Sequence, residues 1–299
     1  MYSVSDSTHY PTPHYPITHY PMYWYTGQLI EADAIALPIS DPALLYGATI
    51  FTTMRVEGRS LDHPLSFWSA HCDRLHTSLQ QLGWVEPNWP RLRLGAEQMA
   101  AHHPILRLTI FPDGREWITG RSLPPNLAEW QQSGIAAWLA PPQWGRSLPG
   151  HKTGNYLAPW LALQQAQQQG CQEAILTDCQ GNWLETSTGN LWGWSDNCWW
   201  TPSLRMADGD AVVILPGVAR SHLMAVLKWH NMEIQECIWS SDRVAQFEAV
   251  VYANSVRRIV AIAQVHGSNY EKLPGLRFQP CHPKVRAIAT LFNTVTPHL

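Results

Sequence analysis

Lysine is scarce in this chain of 299 residues, standing only at Lys152, Lys228, Lys272 and Lys284. Lysine and arginine together number 20 against 23 acidic residues, for a formal net charge of −3. No basic block or stripe is present, which argues against nucleic acid as the partner. Long apolar runs are missing as well: none reaches the roughly 18 residues of a membrane span. The start lacks the charged-then-apolar pattern of a secretory leader, so a cytoplasmic protein is expected. Cysteine offers no framework. Cys72, Cys171, Cys179, Cys198, Cys237 and Cys281 contain no C-x-x-C pair, and their scatter suits neither a metal site nor a small disulfide scaffold. Free thiols in a reducing compartment are expected. A Gly-rich dinucleotide loop between strand and helix is also lacking, which excludes a Rossmann architecture.

What is present is apolar bulk. The chain is 45% hydrophobic and 14% charged, with 16 Trp, enough for one large domain or two ordinary ones. The tryptophans suit either a core or an apolar interface. Residues 1–21 repeat His-Tyr-Pro at His9, His14 and His19. Proline at that density favours an extended, solvated segment, so a flexible tail is expected; a metal-binding arm is the other reading.

From residue 22 the pattern becomes regular. "MYWYTGQLIEADAIALPIS" predicts a hairpin turning at Thr26-Gly27. "ATIFTTMRVEGR" predicts a strand pair. "SFWSAHCDRLHTSLQQLGW" places Phe67, Leu75, Leu79 and Leu82 on one helical face and stops at Gly83. "PRLRLGAEQMAAHH" predicts a second helix. "ILRLTIF" and "GIAAWLA" predict strands joined by the turn "PDGREWITGRSLPP". The Pro/Gly-rich "PPQWGRSLPG" predicts a connection at 141–150 between lobes spanning 22–140 and 151–299. Beyond it come a helix in "YLAPWLALQQAQQQG", strands in "EAILTD", "WLETSTGNLWGW" and "CWWTPS", and a helix after Pro216-Gly217. A strand broken at "ANS" and the closing helix "PKVRAIATLFNTV" follow. Two α+β lobes are the expected architecture.

Lys152 lies in "HKTGNY", inside a Gly/Pro-rich loop ahead of a helical pattern. On its own it is either a solvated charge or a reacting amine. "LETSTGNLW" follows about thirty residues on, and "LPGVARSHL" about thirty beyond that. In this order the three stretches resemble the fold-type IV pyridoxal-phosphate enzymes, over nearly the whole chain from Tyr23 onward. That family includes branched-chain and D-amino acid aminotransferases and 4-amino-4-deoxychorismate lyases. The resemblance implies a two-lobed α+β fold, with a small N-terminal α/β lobe and a larger lobe whose core is barrel-like. It also implies a homodimer with sites near the interface, a small-molecule substrate and pyridoxal 5′-phosphate as cofactor.

Such a site needs an amine for the cofactor's aldehyde, a carboxylate for its ring nitrogen, and N–H groups and a cation for its phosphate. The resemblance assigns Lys152 as the Schiff-base lysine and Glu185 as the carboxylate, with Ser187, Thr188 and Asn190 after it. An ordinary lysine titrates at about 10.4, so burial and nearby cations must lower Lys152 to free its lone pair. "PGVAR" would form the phosphate cup through Gly217, Val218 and Ala219; Ala219 stands where many relatives carry Thr. "ANS" would add Asn254 and Ser255. Arg74, in a His-x-x-Arg-Leu pattern with His71, would bind phosphate, its planar fork matching the oxygens. His71 supports either the helix or the site.

"FTTMRVEGR" resembles the lyases' strand, with Thr52 where branched-chain aminotransferases more often carry an acid. A neutral hydroxyl there leaves room for a dicarboxylate-like ring substrate. Arg107, Arg115 and Arg121 are candidate cations for substrate carboxylates, unranked by sequence, with Arg107 assigned to the substrate side. The resemblance thus favours a 4-amino-4-deoxychorismate lyase releasing pyruvate and 4-aminobenzoate for folate, with an aminotransferase for D- or branched-chain amino acids as the alternative.

Overall fold

The computed structural model describes residues 22–205, 211–267 and 275–294. The His-Tyr-Pro segment therefore lies outside the described residues. The chain is α+β, built on two separate sheets.

The smaller sheet holds β1 (Met22–Tyr25), β2 (Gln28–Glu31), β3 (Ile50–Arg55), β4 (Ile105–Ile110) and β5 (Glu116–Arg121), in the order β2-β1-β5-β4-β3. All its pairings are antiparallel. The β1–β2 hairpin turns at Thr26-Gly27 with φ of 47° and 91°, the two positive values of a tight primed turn. A short helix α1 (Pro42–Tyr46) precedes β3, while α2 (Trp68–Leu82) and α3 (Trp89–Ala100) follow it. Gly83 ends α2 at φ 66°, a left-handed stop suited to glycine. Asn88 caps α3 by accepting from the Arg91 N–H at 3.0 Å. Leu75, Leu79, Leu92, Ala96 and Met99 of these helices pack on Ile50, Met54, Leu106, Leu108 and Ile118. One face of the sheet is thereby covered, and strand alternation turns Phe51, Thr53 and Arg107 to the other.

Two expectations fail here. "ATIFTTMRVEGR" is one strand, not a pair, and ends in a single helical turn at Glu57–Arg59. The expected turn "PDGREWITGRSLPP" contains β5, the strand between β1 and β4. Its Glu116 is fully buried and pairs with Arg91 at 2.5 Å, a partner distant in sequence that local patterning does not reveal.

After α4 (Leu127–Ser133) the chain enters the larger sheet with β6 (Ile135–Leu139), α5 (Leu157–Gln168), β7 (Glu173–Thr177), β8 (Trp183–Thr186), β9 (Asn190–Ser195) and β10 (Cys198–Pro202). It continues through α6 (Val218–Trp229), β11 (Ile234–Cys237), α7 (Ser241–Val244), β12 (Ala249–Asn254), β13 (Arg258–Gly267), β14 (Leu276–Arg277) and α8 (Pro283–Phe292). The order is β11-β10-β9-β12-β13-β6-β7-β8, with β14 on β13. Parallel pairs β6–β7 and β10–β11 are crossed by α5 and α6. Trp183, the first residue of the outermost strand β8, donates its backbone N–H to the Trp239 carbonyl at 2.9 Å, just beyond the opposite edge strand, so the sheet curls nearly closed. Val250, Tyr252, Val260 and Ile262 face one core, and Ala249, Val251, Ala253, Ile259 and Ala261 face α6 and α8, the period of two expected of a doubly covered strand. Trp183, Trp192, Trp199 and Trp239 are interior, so these four serve the core. Because β6 pairs with β7 and β13, it belongs to the larger sheet. The sheets divide between Arg121 and Ile135, not at 140. Among the described residues no helix is long and apolar enough to cross a membrane.

Candidate active site

A cavity of about 220 Å³ opens between the two sheets. It gathers Arg74, Arg107, Lys152, Glu185, Asn190, Gly217, Val218, Ala219, Asn254 and Ser255, drawn from positions 180 residues apart. Of the candidates raised from sequence, Thr52, His71, Arg115 and Ser187 are not in the lining.

Lys152 is held by its backbone before its side chain does anything. Its carbonyl accepts from the Phe51 N–H at 2.8 Å, and the Gly154 N–H donates to the Thr49 carbonyl at 2.7 Å. A Cβ at Gly154 would lie 2.2 Å from Thr49 Oγ1 and 2.8 Å from the Gly47 carbonyl, so only glycine permits this approach. His151 reaches Ser78 Oγ at 3.0 Å and ties the loop to α2. Lys152 Nζ lies 4.8 Å from the Phe51 ring centre and 5.0 Å from that of Tyr156. Although the side chain borders the cavity, protein surrounds it. That burial, reinforced by Arg146 and Arg74 and opposed by Glu185, pushes the amine well below the ordinary lysine range.

Glu185 Oε1 accepts from Arg146 Nε at 2.8 Å and from the Leu215 N–H at 3.3 Å, both side chains nearly fully buried. Arg146 also donates to the Ser187 carbonyl at 3.1 Å. Burial disfavours the Arg146 charge, but Glu185 and Tyr156 outweigh it and hold the guanidinium protonated. The Tyr156 hydroxyl donates to the same Ser187 carbonyl. Neither Arg146 nor Tyr156 was singled out by sequence. An arginine inside a Pro/Gly-rich connection, six residues before the lysine, was the available signal.

The segment expected to receive phosphate lines the cavity. Gly217 caps α6 with extended backbone, and no side chain caps the helix's first turn. The Val218 and Ala219 N–H groups are thus oriented as an anion site. A Cβ at Gly217 would meet Asn190 Oδ1 at 2.1 Å, while Asn190 Nδ2 donates to the Leu215 carbonyl at 2.9 Å. Arg220 of "PGVAR" turns away to Glu236 at 2.6 Å. Asn254 Oδ1 is committed to the Val256 and Arg257 N–H groups at 3.0 and 2.7 Å, which shapes the turn and leaves backbone and Ser255 as its offer to a ligand. Below this wall the fully buried Glu173 accepts from the Ser187 and Thr188 hydroxyls and pairs with Arg257 at 3.4 Å. Sequence reasoning missed it, because a strand-initial Glu looks solvated until its partners arrive.

The opposite wall requires a correction. Thr52 is fully buried on the helix-facing side of β3, with Oγ1 bound to Arg74 and His71. Thr53, one residue on, faces the cavity. A slip of one position on a strand exchanges the two faces. Arg107 lies across from Thr53 on β4, its Cζ 3.6 Å from the Phe51 ring centre. Burial pushes it down to about 10. Arg121 also lines the cavity, whereas Arg115 is engaged by Asp41 and Asp113 outside it. The three arginines unranked by sequence are thereby separated.

The donor set fits a phosphorylated aldehyde cofactor with a ring nitrogen: one low-pKa amine, one buried carboxylate, one uncapped helix N-terminus, and Arg74, whose Nε is buried without a partner among the described residues. The sequence profile of the amino-transferase class IV family matches residues 49–265. An aminodeoxychorismate lyase of Vibrio harveyi is 22% identical over 82% of this chain and 91% of its own length. The branched-chain-amino-acid aminotransferase of Escherichia coli K12 is 21% identical over 82% and 84%. Among solved structures, a hypothetical aminotransferase from Mycobacterium tuberculosis in its PLP-bound form superposes with a TM-score of 0.74 at 19% identity, covering 91% of this chain and 97% of that one.

Proposed function

The chain belongs to the amino-transferase class IV family and takes pyridoxal 5′-phosphate as its cofactor; from that premise we propose that it is a 4-amino-4-deoxychorismate lyase, releasing pyruvate and 4-aminobenzoate. When bound, the cofactor supplies an aldehyde for the amine and a ring that draws electrons from the substrate carbon bearing nitrogen. Lys152 Nζ, its affinity for a proton lowered by burial, would anchor that aldehyde and, as the free amine, take the proton from the same carbon. Glu185, paired with Arg146, would meet the ring nitrogen. The Val218 and Ala219 N–H groups, Ser255 and Arg74 receive the phosphate. Loss of the ring proton to the base and cleavage of the ether C–O bond would expel the enolate of pyruvate, which takes up one proton to become pyruvate, and the ring becomes aromatic.

The observation that carries this reading is the charge of the cavity. Arg74, Arg107 and Arg121 line it with Lys152, beside Arg146 and Arg257, which are paired with Glu185 and the buried Glu173. One cation serves the phosphate, and Arg107 and Arg121 on the far wall suit a substrate with two carboxylates. The Vibrio lyase supports the same assignment. The Escherichia coli relative, similar to nearly the same degree, keeps an aminotransferase for branched-chain amino acids as the second reading, and a D-alanine aminotransferase of Listeria monocytogenes, 23% identical over 80% of this chain, extends it to D-amino acids. Supplying aminodeoxychorismate and assaying pyruvate and 4-aminobenzoate tests the choice: both products are expected. Neither product, together with conversion of the cofactor to its amino form by amino acids, establishes the aminotransferase instead.

The reading includes a cytoplasmic homodimer. Exposed Leu44, Leu45 and Tyr46 of α1 and Leu157 and Trp160 of α5 flank the point where Gly47 abuts Gly154 and Asn155. This apolar rim beside the lysine loop is the face assigned to the second copy, and the mass in solution tests it.

A further inference from the structure

Arg74 is placed by a side chain that does not touch the cavity. We propose that Thr52 and His71 form a hydrogen-bonded relay that sets the Arg74 guanidinium for the cofactor's phosphate, making both positioning residues. The inference rests on the reading of Arg74 as a phosphate ligand.

The geometry is short and closed. Arg74 Nη2 donates to Thr52 Oγ1 at 2.6 Å, and that oxygen lies 2.5 Å from His71 Nδ1. His71 and Arg74 stand three residues apart on α2, so both reach the same point on β3. Thr52 and His71 are fully buried. Burial, with the positive charges of Arg74 and Lys152, keeps the imidazole well below its ordinary range and hence neutral. A neutral Nδ1 accepts the Thr52 O–H while the threonine oxygen accepts from Arg74, so the hydroxyl both donates and accepts and the two bonds polarise each other.

The consequence concerns charge. Among the described residues Arg74 has no carboxylate partner; its fixed contact is a hydroxyl. An acidic side chain at position 52 would orient the guanidinium but also neutralise it. The threonine orients it and leaves the full charge for an incoming dianion. The spare histidine nitrogen, Nε2, is buried without a partner among the described residues, which is costly for a helix residue with no other task.

The test compares pyridoxal 5′-phosphate with pyridoxal, which lacks the phosphate, by titrating tryptophan fluorescence of the cofactor-stripped full chain. Thr52→Val is isosteric and removes only the hydroxyl. It is expected to weaken pyridoxal 5′-phosphate about tenfold, the worth of one hydrogen bond to a charged group, and to leave pyridoxal unchanged. Thr52→Ser restores the hydroxyl and with it the affinity. His71→Phe, which keeps ring volume but offers no acceptor, is expected to give a smaller loss with the same phosphate selectivity, and carries the test should the valine variant not fold. Equal losses for both ligands, or none, overturn the relay. Arg74→Met separates the two levels. If it fails to discriminate between the ligands, the phosphate assignment itself is wrong; if it discriminates and the Thr52 and His71 variants do not, the relay alone is wrong.

Discussion

The cavity's two walls are made of different material. The wall from the larger sheet is mostly backbone and loop: the uncapped start of α6, the turn at Asn254, and the Lys152 loop. The wall from the smaller sheet is side chain on regular strand: Phe51, Thr53, Arg107 and Arg121. A backbone wall is dictated by glycines and turn residues at fixed offsets, and it tolerates little variation. A strand wall is defined by parity alone, so its residue types can change without disturbing its shape. The first suits what every member of a cofactor family shares, and the second suits what distinguishes one substrate from another.

This contrast can be broken in graded steps. Lys152→Ala should lower turnover about a thousandfold or more and abolish the visible absorbance of the lysine-bound cofactor; retained absorbance sinks the assignment. Arg107→Leu, on the strand wall, should raise KM about a hundredfold, a lost buried charge contact, while cofactor affinity stays put. At saturating cofactor Thr53→Val should alter KM and Thr52→Val should not. If the two threonines behave alike, the parity of β3 is not what selects substrate. Gly217→Ala, on the backbone wall, should do the converse: the new Cβ must displace Asn190, costing about 1–3 kcal/mol of stability and weakening cofactor without changing substrate discrimination. The gentlest effect is a slope. Folded Lys152 releases its proton at lower pH than unfolded lysine, so over that window the unfolded chain binds more protons and stability rises with pH. As pH falls from about 10.4 toward the lowered value, the cofactor-free wild type should lose stability against Lys152→Met, by at most about 1.4 kcal/mol per pH unit. Parallel melting temperatures across that range would contradict it.

The same contrast explains what was legible in the sequence. "HKTGNY", "PGVAR" and "ANS" write the backbone wall as contiguous words, and each occupies its expected place around the cavity. On the strand wall Arg107 is legible, but Thr52 stands out in the sequence where Thr53 lines the cavity, because a run of two threonines carries no phase. The strand at Glu116–Arg121 was hidden for a related reason, its buried carboxylate being compensated by an arginine 25 residues earlier. Arg146 and Glu173 could not be assigned at all. Their roles exist only through partners brought together by folding, Glu185 for one and Arg257 for the other. The parallel crossovers through α5 and α6 were likewise beyond local patterning, since strand direction is decided by neighbours.

One small feature ties the walls together. The segment 152–154 is stitched to the edge of the smaller sheet by the Phe51–Lys152 and Gly154–Thr49 hydrogen bonds, yet it runs directly into α5, which lies on the larger sheet. The reactive nitrogen is therefore a passenger on both bodies at once. Sliding one body against the other by even a fraction of an ångström shifts the aim of that nitrogen, so the alignment of the chemistry doubles as a gauge of whether the two halves are correctly seated.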